Sequence, residues 1–234
     1  MNGQTAAPSY GQVLRLDELL QAARVRDDDV DLVLFLATHQ SCEIYFAVIL
    51  RHLEATRAAL DAGDGRLAAA RIKPLPVVVS TLVRQFDALA TLSLDAFNTI
   101  RTDLGDASGF QSVQFREIEY FCGVRDTRFM NTAGFSPADR ARLQRRLDER
   151  SLQEAYRDFA AGCGDRETTD AVRAALLDFD EAFALWRARH AVLAERFLGG
   201  ATGTAGSEGA SYLWNAARRR LVPDVWAVGM TAVS

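Results

Sequence analysis

The segment DVDLVLFLATHQSCEIYFAVILRHLEATRAALDA (residues 29–62) decides the fold. Its apolar residues Leu32, Phe35, Leu36, Phe46, Ile49, Leu50 and Leu53 recur at three- and four-residue steps. With about 3.6 residues per helical turn, that spacing puts them on one face. One long amphipathic helix is predicted from Asp29 to about Ala62, closed by the turn-forming DAGDG (61–65).

The rest of the chain repeats this pattern. A second long helix is predicted over 77–92. PVVVS (76–80) is the one β-branched run, and Pro76 suits the start of a helix better than a strand. Ser93 caps a short helix, SLDAFNTIRTDL. DASGFQS (106–112) is a turn that leads into the helix VQFREIEYFCG, closed by Gly123. Ser136-Pro137-Ala138-Asp139 combines a capping serine, a first-turn proline and an acid three residues after the cap, and so begins another helix. Asp165 to Leu198 is the longest candidate, roughly 50 Å at about 1.5 Å per residue. A last helix spans about 208–221, before Pro223. The expected fold class is all-α: one domain over residues 1–234, a bundle of long amphipathic helices.

Hydrophobic residues make up 49% of the 234, enough for a substantial core. Lys and Arg number 27 against 31 Asp and Glu, a formal charge of −4, which argues against a nucleic-acid partner. The cluster Arg218-Arg219-Arg220 reads as a solvated helix end. Cys42, Cys122 and Cys163 are scattered, with no CxxC, which excludes a simple disulfide framework and a cysteine zinc site. The N-terminal MNGQTAAPSYGQ lacks the charged and apolar regions of a signal peptide. No run of about 18 apolar residues is seen, so no membrane span is expected. A soluble protein of the reducing cytoplasm is expected.

Glycine-rich TGTAGSEG (202–209) poses a choice between phosphate cradle, linker and lid. A phosphate loop follows a strand and carries a lysine at set spacing; here a helical pattern precedes it and no GK[ST] follows. The three histidines are His39, His52 and His190. His39 lies on the apolar side of the first long helix, where a satisfied core residue and a functional one are both open readings. His52 belongs to the helix surface. His190, in LWRARHAVLAERF, suits surface or site equally. Paired helical histidines of a zinc protease and a GxSxG elbow are both absent. A haem site needs only one histidine on a helix beside an apolar cavity.

Taken in order, the motifs resemble the tryptophan 2,3-dioxygenase family. SYGQVLRLDELLQA is similar to its N-terminal helix, LFLATHQSCEIYFAVIL (34–50) to its helix with an HQ-x-x-E core, and ASGFQSVQFREIEYFCG (107–123) to its most recognisable segment. LWRARHAVLAERFLGGATGTAGSEGASYL (185–213) resembles the proximal-histidine helix and the loop after it, and VPDVW (222–226) the closing segment. The resemblance implies that the helices enclose haem b, with His190 as axial ligand to its iron. His39 would lie on the distal side as the catalytic residue, accepting from a substrate indole N–H. Phe35 would line the indole pocket, Arg116 would pair with the substrate carboxylate, Thr204 would touch the amino-acid head group, and Tyr10 would reach the pocket from a neighbouring subunit. TGTAGSEG would then be the loop that folds over the bound amino acid.

The implied reaction joins O2 to the indole C2–C3 bond of tryptophan or a substituted tryptophan. The implied assembly is a homo-oligomer, dimer or tetramer. Two other readings stay open: a monooxygenase giving a 2-oxindole or hydroxylated aromatic amino acid, and a non-catalytic haem sensor. The chain departs from the family pattern in places. GTAGSEG (203–209) stands for GTGGSSG, Val13 for a tyrosine and Tyr45 for a tryptophan, and the stretch between Gly123 and the proximal helix is short. A divergent, shortened member is expected.

Overall fold

A computed structural model describes residues 7–23, 28–199 and 210–227. Those residues form helices and turns, with no strand among them. In chain order the helices are α1 (Tyr10–Leu14), α2 (Leu16–Ala23), α3 (Val30–Asp61), α4 (Gly65–Ile72), α5 (Leu75–Leu89), α6 (Leu94–Leu104), α7 (Val113–Cys122), α8 (Pro137–Asp148), α9 (Leu152–Gly162), α10 (Arg166–Leu198) and α11 (Ala210–Arg218). The all-α expectation holds.

Local chemistry sets the helix ends. Asp29 accepts from the Leu32 amide at 2.9 Å to start α3, and Asp165 does the same for α10 through the amides of Glu167 and Thr168. Each satisfies amides that have no partner inside the helix. Pro76 sits in the first turn of α5, so PVVVS is helical as expected. Ser112 caps α7, and Gly123 ends it at φ 126°, a conformation that a side chain would strain. Two helices were not anticipated. Asp64 is both the end of one turn and the cap of α4, accepting from Leu67 at 2.9 Å. Ser151 and Glu154 form a capping box that opens α9. α11 is shorter than expected, because the chain leaves the helix at Arg218 and makes a 3₁₀ turn over Pro223–Trp226.

The two long helices organise the core. α3 packs against α4, α5, α7 and α9, and α10 against α4, α5 and α11. The predicted apolar face of α3 supplies buried Leu32, Phe46, Ile49, Leu50 and Leu53, while Phe35 and Leu36 are half-buried at its N-terminal end. A smaller cluster of Tyr120, Phe135, Leu143 and Leu147 fixes α8 to α7. By length and composition α3 could cross a membrane: an 18-residue window has a mean hydropathy of 1.5. The sequence reading, which looked for an unbroken apolar run, missed this. The same apolarity belongs to a core helix, and α3 is packed on five others, α2 included.

Candidate active site

His39 lies on α3 and His190 on α10, close enough for a charge on His39 to act on His190. The His39 Nδ1 lies 2.7 Å from the Phe35 carbonyl oxygen, one turn earlier. A carbonyl oxygen only accepts, so Nδ1 carries the proton and Nε2 keeps its lone pair. The Phe35 ring stacks on the imidazole at 4.2 Å, which fixes its plane. One side of His39 is exposed, yet protein atoms surround it on most others. This enclosure lowers its pKa, against the opposing pull of the Phe35 carbonyl and of Glu43. Glu43 is itself held by Gln114 of α7, whose Nε2 donates to its carboxylate at 2.8 Å.

His190 stacks on Phe86 of α5 at 5.3 Å and lies 5.9 Å from the Trp186 ring. Burial first, and then the effect of a charge on His39, pushes its pKa down to about 4. The imidazole is therefore neutral near pH 7, and neither ring nitrogen bonds to a described residue. Phe46 and Phe115 back the Trp186 ring at 5.7 Å each, so the surroundings are aromatic. A neutral, unpartnered imidazole in an aromatic enclosure is what an axial ligand to a flat apolar cofactor requires. The residues present fit a haem.

Arg116 lies beside this enclosure, on α7 next to Phe115. Its side chain and that of Glu119 are each 3% exposed, and Nη1 donates to Glu119 Oε2 at 2.6 Å. The Phe129 ring covers the guanidinium at 3.6 Å. Tyr212 of α11 lies against it, its phenol pushed up by burial and drawn down by the Arg116 charge. Arg116 Nε is buried without a hydrogen-bond partner among the described residues. From α10, Arg187 Nη2 donates to the other Glu119 oxygen at 3.0 Å, and its Nη1 to the Arg219 carbonyl at 2.8 Å.

A sequence model of the family described as tryptophan 2,3-dioxygenase matches residues 1–161 and 139–231. The chain belongs to this family. The tryptophan 2,3-dioxygenase of Nocardioides sp. is 37% identical over 253 aligned positions, covering 96% of this chain and 95% of that one. Those of Anaeromyxobacter sp. strain K and Caulobacter vibrioides are 32% and 29% identical, each covered to 97% of its length. The Nocardioides alignment is longer than the 234 residues of this chain. The two matched stretches also overlap at 139–161, across α8 and α9. By its length, the Nocardioides alignment carries gaps in this chain.

Of the residues singled out by resemblance to tryptophan 2,3-dioxygenases, Phe35 stacks on His39, a charge on His39 acts on His190, and Arg116 connects to His190 through the rings of Phe115 and Trp186. Tyr10 is 76% exposed on α1. Thr204 and the TGTAGSEG stretch lie outside the described residues. Sequence reasoning missed Phe86, which α5 delivers to His190 from far along the chain. It attached no role to Arg187, although RxxH on one helix puts Arg187 a turn before His190.

Proposed function

We propose that this chain is a haem-dependent oxygenase that adds both atoms of O2 across the indole C2–C3 bond of tryptophan or a substituted tryptophan. The relatives' printed activity supports the reaction. The observation that carries it to these residues is the approach of His39 to His190, two imidazoles whose pKa values burial lowers, with buried Arg116 joined to His190 through Phe115 and Trp186.

In this reading His190 would hold the haem, which supplies the activation of O2 that no side chain offers. His39 Nε2, left with its lone pair by the Phe35 contact, would accept the indole N–H and set the ring's orientation. Phe35 would form one wall of the indole pocket. Arg116 would take the carboxylate, to which a planar guanidinium offers two parallel donors. For the carboxylate to arrive, Tyr212 must give way. Thr204 would complete the head-group site. Exposed Tyr10 suits contact with a second copy of the chain, and so a homo-oligomer.

The test is the mass of the product from haem-loaded, reduced protein incubated with L-tryptophan in air. Gain of two oxygen atoms supports the proposal, and gain of one makes the enzyme a monooxygenase. No product from a protein with a histidine-ligated haem spectrum overturns tryptophan as the substrate, and substituted tryptophans and tyrosine are then tried.

A further inference from the structure

Glu119 is shared between two guanidiniums that no neighbouring stretch of sequence links. One carboxylate oxygen takes Arg116 Nη1 at 2.6 Å, and the other takes Arg187 Nη2 at 3.0 Å. All three side chains are 3% exposed. Glu119 is the one carboxylate bonded to either arginine among the described residues, and both Nε atoms lack a partner. Arg116 thus has one charged anchor for its orientation, beside a hydrogen bond with the Tyr212 phenol. The faces of Phe129, Phe115 and Phe110 around it, at 3.6, 5.1 and 5.9 Å, attract a cation but do not fix its in-plane rotation. Arg187 in turn is tied to the carbonyls of Arg219 and Ala216, at the C-terminal end of α11. A cation suits that helix end.

We infer that Glu119 is a positioning residue: backed by Arg187, it holds the Arg116 guanidinium in the rotation that receives the substrate carboxylate, and so sets the preference for amino acids over their decarboxylated amines. The inference rests on the carboxylate role proposed for Arg116. Its sign separates it from a simple field effect. Removing a negative charge near Arg116 strengthens the local positive potential, which by itself tightens carboxylate binding. Loss of positioning weakens it, because a bidentate pair depends on geometry.

The experiment measures binding of L-tryptophan and of tryptamine, which lacks the carboxylate, to the ferric haem-loaded protein by calorimetry. Wild type is compared with Glu119→Gln and Glu119→Asp. The aspartate keeps the charge but is one methylene too short to reach both arginines, and it serves if the glutamine variant does not fold. The expected result is at least about tenfold weaker L-tryptophan binding in either variant, the scale of one charge-assisted hydrogen bond. Tryptamine binding stays within about twofold and the haem absorption spectrum is unchanged. An unaltered ratio of the two affinities, or tighter L-tryptophan binding in Glu119→Gln, overturns the inference. Equal loss for both ligands also overturns it, by reducing Glu119 to a structural role. A wild-type protein that binds both ligands equally removes the Arg116 clamp itself, and the inference falls with it.

Discussion

The fully buried carboxylate of Asp180 accepts the Trp226 indole N–H at 2.9 Å, and with it the backbone amides of Leu221 and Val222 at 3.0 Å each. One side chain of α10 therefore holds the last described turn of the chain. A carboxylate can satisfy all these donors because it offers about four lone-pair positions. Asp180→Ala strands them in the core. We expect a loss of roughly 3–5 kcal/mol, read by denaturant unfolding, and faster hydrogen exchange at the Leu221 and Val222 amides. Asp180→Asn keeps acceptor oxygen and should cost clearly less. Equal stability of the alanine variant would show that the C-terminal turn docks by apolar packing alone.

His190→Ala should abolish normal haem ligation. The aromatic enclosure would still offer apolar contact, so some haem binds, but without an axial imidazole from the protein. Affinity should fall by more than the roughly 10–100-fold that follows loss of a ligand's supporting hydrogen bond. Absorbance titration of haem into the apoprotein measures this; an unchanged Soret band and coordination would remove His190 from the axial position.

Stability of the haem-free protein should depend on pH between the ordinary histidine pKa, 6.5, and the folded value for His190, about 4. Well above pH 6.5 the imidazole is neutral in both states. As pH falls through this window the unfolded chain takes up a proton that the folded chain refuses, so the folded state loses ground. His39, also lowered by burial, acts in the same direction. Thermal unfolding in buffers across that window should show the fall, and His190→Phe should flatten it. An equal slope in the variant would assign the effect to other groups.

Gly65→Ala should destabilise the chain although Gly65 has no unusual backbone angle. A Cβ there would overlap the Phe159 ring and the Thr168 methyl, where α4 meets α9 and α10. The Phe159 ring is buried and has little room to turn. Overpacking of this kind costs about 1–3 kcal/mol. Chemical denaturation checks it, and a neutral result would mean that α4 shifts freely against its neighbours.

The helices were legible where one residue pattern served one purpose. The α3 face that reads Leu32, Phe46, Ile49, Leu50, Leu53 is the face that is buried, because helical periodicity and core burial are the same fact. α4 was hidden because Asp64-Gly65 ends one helix and begins the next, and turn residues read only as a stop. α9 carried a readable capping box at Ser151 and Glu154, which went unused. The site was less legible. His39 and His190 were ambiguous on spacing alone, and the order of motifs along the chain singled them out. Glu119 and Arg187 lie 68 positions apart, and only the packing of helices around a shared core brings them within bonding distance.

The partner that fixes the His39 ring is a main-chain carbonyl inside α3. A side-chain partner could be exchanged by a single codon change, and the ring's donor and acceptor ends could then trade places. The Phe35 carbonyl persists whatever residue stands at position 35, as long as the helix stays intact. The polarity with which this imidazole meets a ligand is thus inherited from the helix. If His39 meets a substrate ring as proposed, variants at position 35 would alter which ring fits, while those that keep His39 and the helix would still present its lone pair.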